Sequence, residues 1–378
     1  MAAGDKLALV FSGGGAKGAF GVGVLWQLVQ ELPDLSWGIV SGTSTGALIT
    51  PLSALGAHDR AALTTLRDLY VGIRKDDVVE SNFDLVDIPG DLLDLPDGLY
   101  NFDPLERTIA AALPEARKRK LLASDVVAIV NSVNLRTGAL ALWTQKRHRK
   151  TMKDWFAAHA GGDAAIPIEW ISETKLERAM RASSAIPAGI SPVTLLGDQH
   201  VDGGVTDLAP LRAAVAAGAT HILAVMMSPR VGAPAAGPAE NLVEVALRAV
   251  DLLTDEIGRN DVEVARQTTQ LQPLAALLAA TPPNTLPPNL QSWLAVPENA
   301  RLVADLASRR QIQVEVIEPA FALGETLDFD AKVTAGWPQD DSTGTIPVMR
   351  RRFQIGREAA TAALAAKPSL KAMLEAFA

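Results

Sequence analysis

The chain has no cysteine. That removes disulfides, thiolate metal sites, iron–sulfur clusters and a cysteine nucleophile together. Histidine is scarce: His58, His148, His159, His200 and His221 are the full set, and none forms a close pair. A histidine-built metal site is therefore not expected. No apolar run reaches the roughly 18 residues of a membrane-spanning helix. The first apolar run, Leu7–Phe11, is too short for a signal-peptide core and runs into glycines. The expectation is a soluble cytoplasmic protein. Basic charge is in deficit, with 35 Lys and Arg against 43 Asp and Glu and a net charge of −8. A nucleic-acid partner, which asks for a basic stripe, is not expected. What the chain does have is 48% hydrophobic and 21% charged residues over 378 positions. That excludes global disorder and allows one large α/β domain or two smaller ones.

The N-terminal third alternates between two kinds of pattern. Leu7–Phe11 reads as a buried strand ending in glycines. Residues 17–31 carry Phe20, Val24, Leu25 and Leu28 at helical spacing and stop before Pro33. Residues 37–41 form a second short strand, followed by Gly42-Thr43-Ser44-Thr45-Gly46 and a helix from Ala47. Strand, glycine turn, helix, repeated, predicts a parallel sheet with helices on its faces. Residues 76–106 hold ten acidic residues and no Lys or Arg, broken by Pro89 and Pro96; a lid and a solvated acidic loop are both open readings. Residues 126–133 and 139–144, joined through Arg136-Thr137-Gly138, read as a hairpin. Residues 221–227 and 311–317 read as core strands, and 350–366 as a closing helix. Between them, 230–300 is rich in Ala and Pro, read as helices around a stiff linker at 281–288.

Two glycine motifs carry the chemistry. Gly13-Gly14-Gly15-Ala16-Lys17-Gly18 matches the dinucleotide fingerprint G-x-G-x-x-G, but the next strand ends in glycine and serine rather than an acidic ribose ligand. A phosphate-binding P-loop fails too, since no Lys-Ser or Lys-Thr follows the last glycine. Successive glycines still turn backbone N–H groups into one concavity at a helix N-terminus, which favours negative charge. That charge can be the oxyanion of an ester under attack. The competing use is tight strand–helix packing.

Gly42-Thr43-Ser44-Thr45-Gly46 fits G-x-S-x-G, which holds a serine on a sharp turn between strand and helix. The competing use is a serine N-cap. Serine needs a base. Asp202 followed by His221 has the order of an α/β-hydrolase, yet His221 opens an apolar strand and His200 precedes Asp202. In Val201-Asp202-Gly203-Gly204 the glycines turn the chain and present the carboxylate; taken alone this is an ordinary Asp-Gly turn.

Together, the glycine cluster on the first strand, the G-x-S-x-G on the second and the late Asp-Gly-Gly resemble the patatin-like phospholipase family. Ala182-Ser183-Ser184-Ala185-Ile186-Pro187 resembles the family's segment before the aspartate. The resemblance runs in order over residues 5–228. It leaves 229–310 as a mostly helical insertion and 311–378 as a strand and helix completing the domain. Lys17 stands where members often have Arg.

The resemblance implies a three-layer α/β/α fold with a mostly parallel central sheet. It implies a Ser44–Asp202 dyad without histidine, and an oxyanion hole from the N–H groups of Gly13, Gly14 and Gly15. Ala16, Lys17, Gly18, Gly42, Thr43, Thr45, Gly46, Gly203 and Gly204 would support these motifs. No cofactor or metal is implied, and no EF-hand-type calcium loop is present. The substrates implied are acyl esters of lipids. Alternatives are an esterase or acyltransferase on a soluble ester, and a lipid-binding protein with weak turnover gated by a lid. Transient membrane contact would use the basic clusters at 117–120, 146–150 and 350–352, with Trp143, Trp155, Trp170, Trp293 and Trp337 as anchors. A helix over 240–257 would turn Leu242, Val245, Leu253 and Ile257 to the core or the acyl pocket.

Overall fold

The computed structural model describes residues 4–82, 97–159, 166–231, 238, 242–330 and 346–378. Chain order begins β1 (Leu7–Phe11), α1 (Gly18–Glu31), β2 (Ile39–Gly42), α2 (Thr45–Gly56) and α3 (Arg60–Gly72). A two-stranded pair, β3 (Glu80–Ser81) and β4 (Tyr100–Asn101), precedes α4 (Asp103–Ala112) and α5 (Glu115–Ala123). Next come β5 (Val127–Asn134), β6 (Leu140–Gln145), α6 (Lys146–His159), β7 (Ile168–Ile171) and α7 (Glu173–Ser183). They lead to β8 (Val193–Leu195), β9 (Asp198–Asp202), α8 (Leu211–Ala216) and β10 (His221–Val225). The last part holds α9 (Leu242–Ala280), α10 (Pro288–Leu294), α11 (Pro297–Ser308), β11 (Gln313–Ile317), α12 (Val348–Ala366) and α13 (Pro368–Glu375).

The main sheet runs β11-β10-β1-β2-β5-β6-β7, with β9 and β8 added beside β5. The β11 to β5 half is parallel throughout, while β6 and β9 run antiparallel to β5. The two-residue periodicity of β1 sorts its side chains between two cores. Leu7, Leu9 and Phe11 join the core under α1, α2, α7 and α12; Ala8 and Val10 join the one with α6, α8 and α9. Burial on both faces is why the strand is apolar at every position. The expected three-layer α/β/α arrangement with a mostly parallel sheet is what forms.

Several sequence expectations change. Residues 15–17 form a tight 3-10 turn, so α1 starts at Gly18. The helix expected over 240–257 runs on to Ala280, passing through Pro273. Val245 and Leu253 are exposed, not turned to a core or pocket. The prolines beyond it start helices: Pro288 and Pro297 sit in the first turns of α10 and α11, where a missing N–H costs nothing. Two of the three basic clusters are only partly surface. Lys118 is buried against Glu115 and Glu177 (3.0 and 2.7 Å), and Arg351 and Arg352 are buried. Trp143 is fully buried, its indole N–H on Ser132, so it anchors nothing outside. Trp337 and residues 83–96 of the acidic segment lie outside the described residues. Among the described residues no helix is long and apolar enough to cross a membrane.

Candidate active site

β5 brings the two motifs together. Its lower half pairs with β2, Gly42 facing Val130, and its upper half pairs with β9, Asp202 facing Ser132. The other edge of β5 is taken by β6. So β2 and β9 share one edge, nearly end to end. The chain leaving β2 turns at Ser44 where β9 arrives with Asp202.

The turn is tight. Ser44 has φ 55°, in the left-handed region, at the N-cap of α2. Such a residue stores about 1–3 kcal/mol of strain, held by its surroundings. Here Ser183 Oγ accepts the Ser44 N–H at 2.9 Å, and the Gly46 N–H bonds the Thr43 carbonyl at 2.7 Å. The two glycines of the motif are required by contact: a Cβ on Gly42 would overlap the Gly46 carbonyl, and one on Gly46 the Phe11 carbonyl. Thr45 reaches Tyr70, their hydroxyls 2.8 Å apart, which pins the first turn of α2 to α3.

Asp202 is buried, and Gly204 donates its N–H to Oδ1 at 2.7 Å, with Gly203 in the turn between. The Ser44 side chain faces the carboxylate and, with the Gly204 N–H, pulls its pKa down. Burial outweighs both and pushes the Asp202 pKa up to about 7. A carboxylate of that basicity is matched to proton transfer near neutral pH.

The glycine loop lies beside Ser44. Gly13 donates its N–H to the Leu208 carbonyl at 3.1 Å. The N–H groups of Gly14 and Gly15 make no hydrogen bond among the described residues. Ala16 donates to the Thr326 carbonyl at 2.8 Å, and a Cβ on Gly15, where φ is 55°, would overlap that same carbonyl. Lys17 reaches Ser228 Oγ at 3.1 Å; desolvation holds its pKa below the ordinary range, against the pull of Asp255 and Asp251. Gly18 packs on Thr45, where a Cβ would not fit.

The histidines stand elsewhere. His221 begins β10 opposite Leu7, at the far ends of the strands, bonded to Thr220 and edge-on to Phe377. His200 is buried, bonded to Ser132 Oγ at 2.9 Å and edge-on to Trp143; desolvation lowers its pKa and keeps it neutral. The Asp202–His221 arrangement is not assembled.

Three supporting features have no motif in the sequence. An apolar slot opens at Ser44 and Gly15, walled by Leu48, Leu52, Leu105, Ile109, Met180 and Phe329. On its other side Ser44 shares a small mouth with Asp202, Lys17 and, from α9, Asp251 and Asp255. The 207–209 strap ties the parts together. The Asp207 carbonyl accepts from Thr43 Oγ1 (2.9 Å) and Asn131 Nδ2 (3.0 Å), and Leu208 holds Gly13. Asp261 on α9 accepts the N–H groups of Leu208 and Ala209, both at 3.0 Å.

The sequence model of the family described as Patatin-like phospholipase matches residues 9–215. Among solved structures, the chain is similar to VipD from Legionella pneumophila, at 13% identity and a TM-score of 0.36, over 96% of this chain and 67% of that one. No curated protein sequence matches it.

Proposed function

Since the chain belongs to the patatin-like phospholipase family, a family of lipid acyl hydrolases, we propose that it cleaves carboxylic esters of lipids with Ser44 as nucleophile and Asp202 as its base. The observation that carries this reading is a strained serine that shares one mouth with a buried, raised carboxylate and stands at the head of an apolar slot.

The acyl chain lies in the slot. Ser44 Oγ attacks the ester carbonyl as its proton passes to Asp202. The tetrahedral oxyanion takes hydrogen bonds from Gly14 and Gly15; Gly13, already bonded to Leu208, keeps the loop in place. The C–O bond to the alcohol breaks, and Asp202 returns the proton to the leaving oxygen. The alcohol departs by the mouth that Ser44 shares with Asp202 and Lys17. Asp202 then takes a proton from water, whose oxygen attacks the acyl-serine; the acyl–Oγ bond breaks, Asp202 returns the proton to Ser44 Oγ, and the fatty acid leaves. The N-terminus of α2 lies at Ser44 and favours the developing alkoxide. We assign this catalytic unit to residues 5–228, with 229–310 inserted and 311–378 completing the sheet through β11.

Labelling with a fluorophosphonate, read by intact mass, tests the nucleophile. One adduct is expected on the wild-type chain and none on Ser44→Ala. An unlabelled wild-type chain would sink the proposal.

The base makes a pH prediction. Asp202 must be ionised, and its pKa is raised to about 7. The rate kcat/KM for a nitrophenyl ester should therefore climb through pH 7 and level off above it, with no dependence on a histidine. A profile flat from pH 5 to 9 would contradict the assignment.

The slot makes another. Leu105 is buried on its wall. Leu105→Trp should shorten it, and each excluded methylene forfeits about 0.8 kcal/mol. Loss of four methylenes is about 200-fold in kcat/KM on long acyl esters, with butyrate esters spared. Equal losses on both chain lengths would move the acyl site elsewhere.

A further inference from the structure

A second cavity, about 690 Å³ in volume, lies away from Ser44, between α9 and the sheet face that carries α6 and α8. Its size falls in the range of small-molecule sites. It does not belong to the ester-cleaving centre: neither Ser44 nor Asp202 borders it.

Its shape and lining are those of a sleeve for a chain. Along α9 it extends from Asp261 to Gln272, about 16 Å at the helical rise. Leu211, Val215, Ile222, Val264 and Val314 make its sides apolar. The two ends differ. At one, the Asp261 carboxylate is committed to the Leu208 and Ala209 N–H groups, and desolvation together with Asp261 pushes the neighbouring Asp207 well above the usual carboxylate range. At the other, Gln272 Nε2 bonds the Arg309 carbonyl at 3.2 Å and sets two consecutive arginines on the rim. Arg309 is paired with Asp305 at 2.6 Å. Arg310 has no acidic partner among the described residues. Arg212, also on the lining, stands beside Asp207 with its guanidinium over the Phe156 ring at 5.2 Å. The denser positive charge is therefore the Arg309–Arg310 rim, which selects an anionic head with a hydrocarbon tail at that end.

We propose that this cavity is a second ligand site, for a single-chain anionic amphiphile whose head meets Arg309 and Arg310 and whose chain runs along α9 towards Asp261. Two sources share that chemistry, a free fatty acid and a lysophospholipid with an anionic headgroup.

Trp155 lines the cavity, stacked on His159 at 4.5 Å, and gives a local probe. The experiment titrates the full-length Ser44→Ala chain with mid-chain brominated stearic acid, and separately with brominated lysophosphatidylglycerol, both below their micellar concentrations. The Ser44→Ala background removes turnover, so the outcome is independent of the hydrolase reading. Saturable quenching is expected with at least one ligand, and the one that saturates names the source. Trp155→Phe should abolish the quenching. Arg310→Gln should weaken binding about tenfold, the worth of a hydrogen bond to a charged group, while a brominated fatty alcohol binds Arg310→Gln and its parent alike. Thr268→Phe, which fills the sleeve from an α9 position on its wall, should block acid and alcohol together. Absence of saturation with both lipids would overturn the proposal. So would quenching that survives Trp155→Phe or Thr268→Phe, or equal affinity of the acid for Arg310→Gln and its parent.

Discussion

Asp202→Asn is expected to lower kcat by about 10⁴-fold, the upper end of what proton transfer by a positioned side chain supplies, and to make the fold more stable at pH 8. The substitution keeps the shape. Asn Oδ1 can still accept the Gly204 N–H, as the carboxylate does at 2.7 Å. What it loses is the capacity to take the Ser44 proton. The stability gain follows from the raised pKa. Asp202 titrates at about 7 in the fold against 3.8 in the unfolded chain. Between these values the folded state holds a proton that the unfolded state has lost, so stability falls as pH rises through that window. Above pH 7 the full cost of a buried charge is present; towards pH 4 it disappears. Asparagine carries no such charge. Urea midpoints of the two proteins should therefore differ most above pH 7 and converge on acidification. Ester turnover by Asp202→Asn above a tenth of wild type would remove Asp202 as the base. A midpoint below wild type at pH 8 would show that the carboxylate stabilises the fold instead.

The second large effect is expected at Arg352, well away from both glycine motifs in the chain. Its side chain is fully buried. Nε donates to the Leu323 carbonyl at 2.8 Å, Nη1 to the Asp328 carbonyl at 2.5 Å and Nη2 to the Glu325 carbonyl at 3.4 Å. Asp328 supplies the nearest carboxylate, at 3.7 Å. Desolvation pulls the guanidinium pKa down to about 10, still far enough above neutral to keep it charged. One side chain on α12 thus holds the 323–329 loop in shape. That loop places Thr326 against Gly15 and puts Phe329 in the wall of the slot. Arg352→Met should cost about 3–5 kcal/mol, the usual range when one member of a buried charged network is removed. It leaves three carbonyls and Asp328 without that donor. Chemical denaturation measures the loss. At temperatures where the variant stays folded, kcat should fall as well, because Gly15 loses its backing. A variant with wild-type stability would mean that the loop is held by other contacts.

What could be read from the chain alone was local. β1, the glycine loop and the elbow at Ser44 were legible because each is written over a few consecutive residues, with chemistry that admits few alternatives. Gly42 and Gly46 face one another across a single turn, and no side chain fits there. The Asp-Gly-Gly turn was legible as a turn, but its partner was not. Ser44 and Asp202 lie far apart along the chain and meet because β2 and β9 share one edge of β5, a pairing that no local pattern encodes. The acidity of Asp202 was equally hidden, since desolvation depends on what covers the group rather than on its neighbours in sequence.

The misreadings have the same origin. Arg350 to Arg352 look like a solvated basic cluster, yet Arg351 and Arg352 turn inward on α12 while Arg350 stays exposed. Three glycines suggested three free N–H donors, yet a carbonyl from the 207–209 strap takes the Gly13 N–H. Residue type and spacing alone determined the elbow, the glycine loop and the alternation that builds a parallel sheet, because these follow from steric limits on adjacent peptides. Only the tertiary structure decided which donors stay free, which charges are buried and where the apolar slot runs, because these depend on desolvation and contact between segments that meet only after the chain has folded.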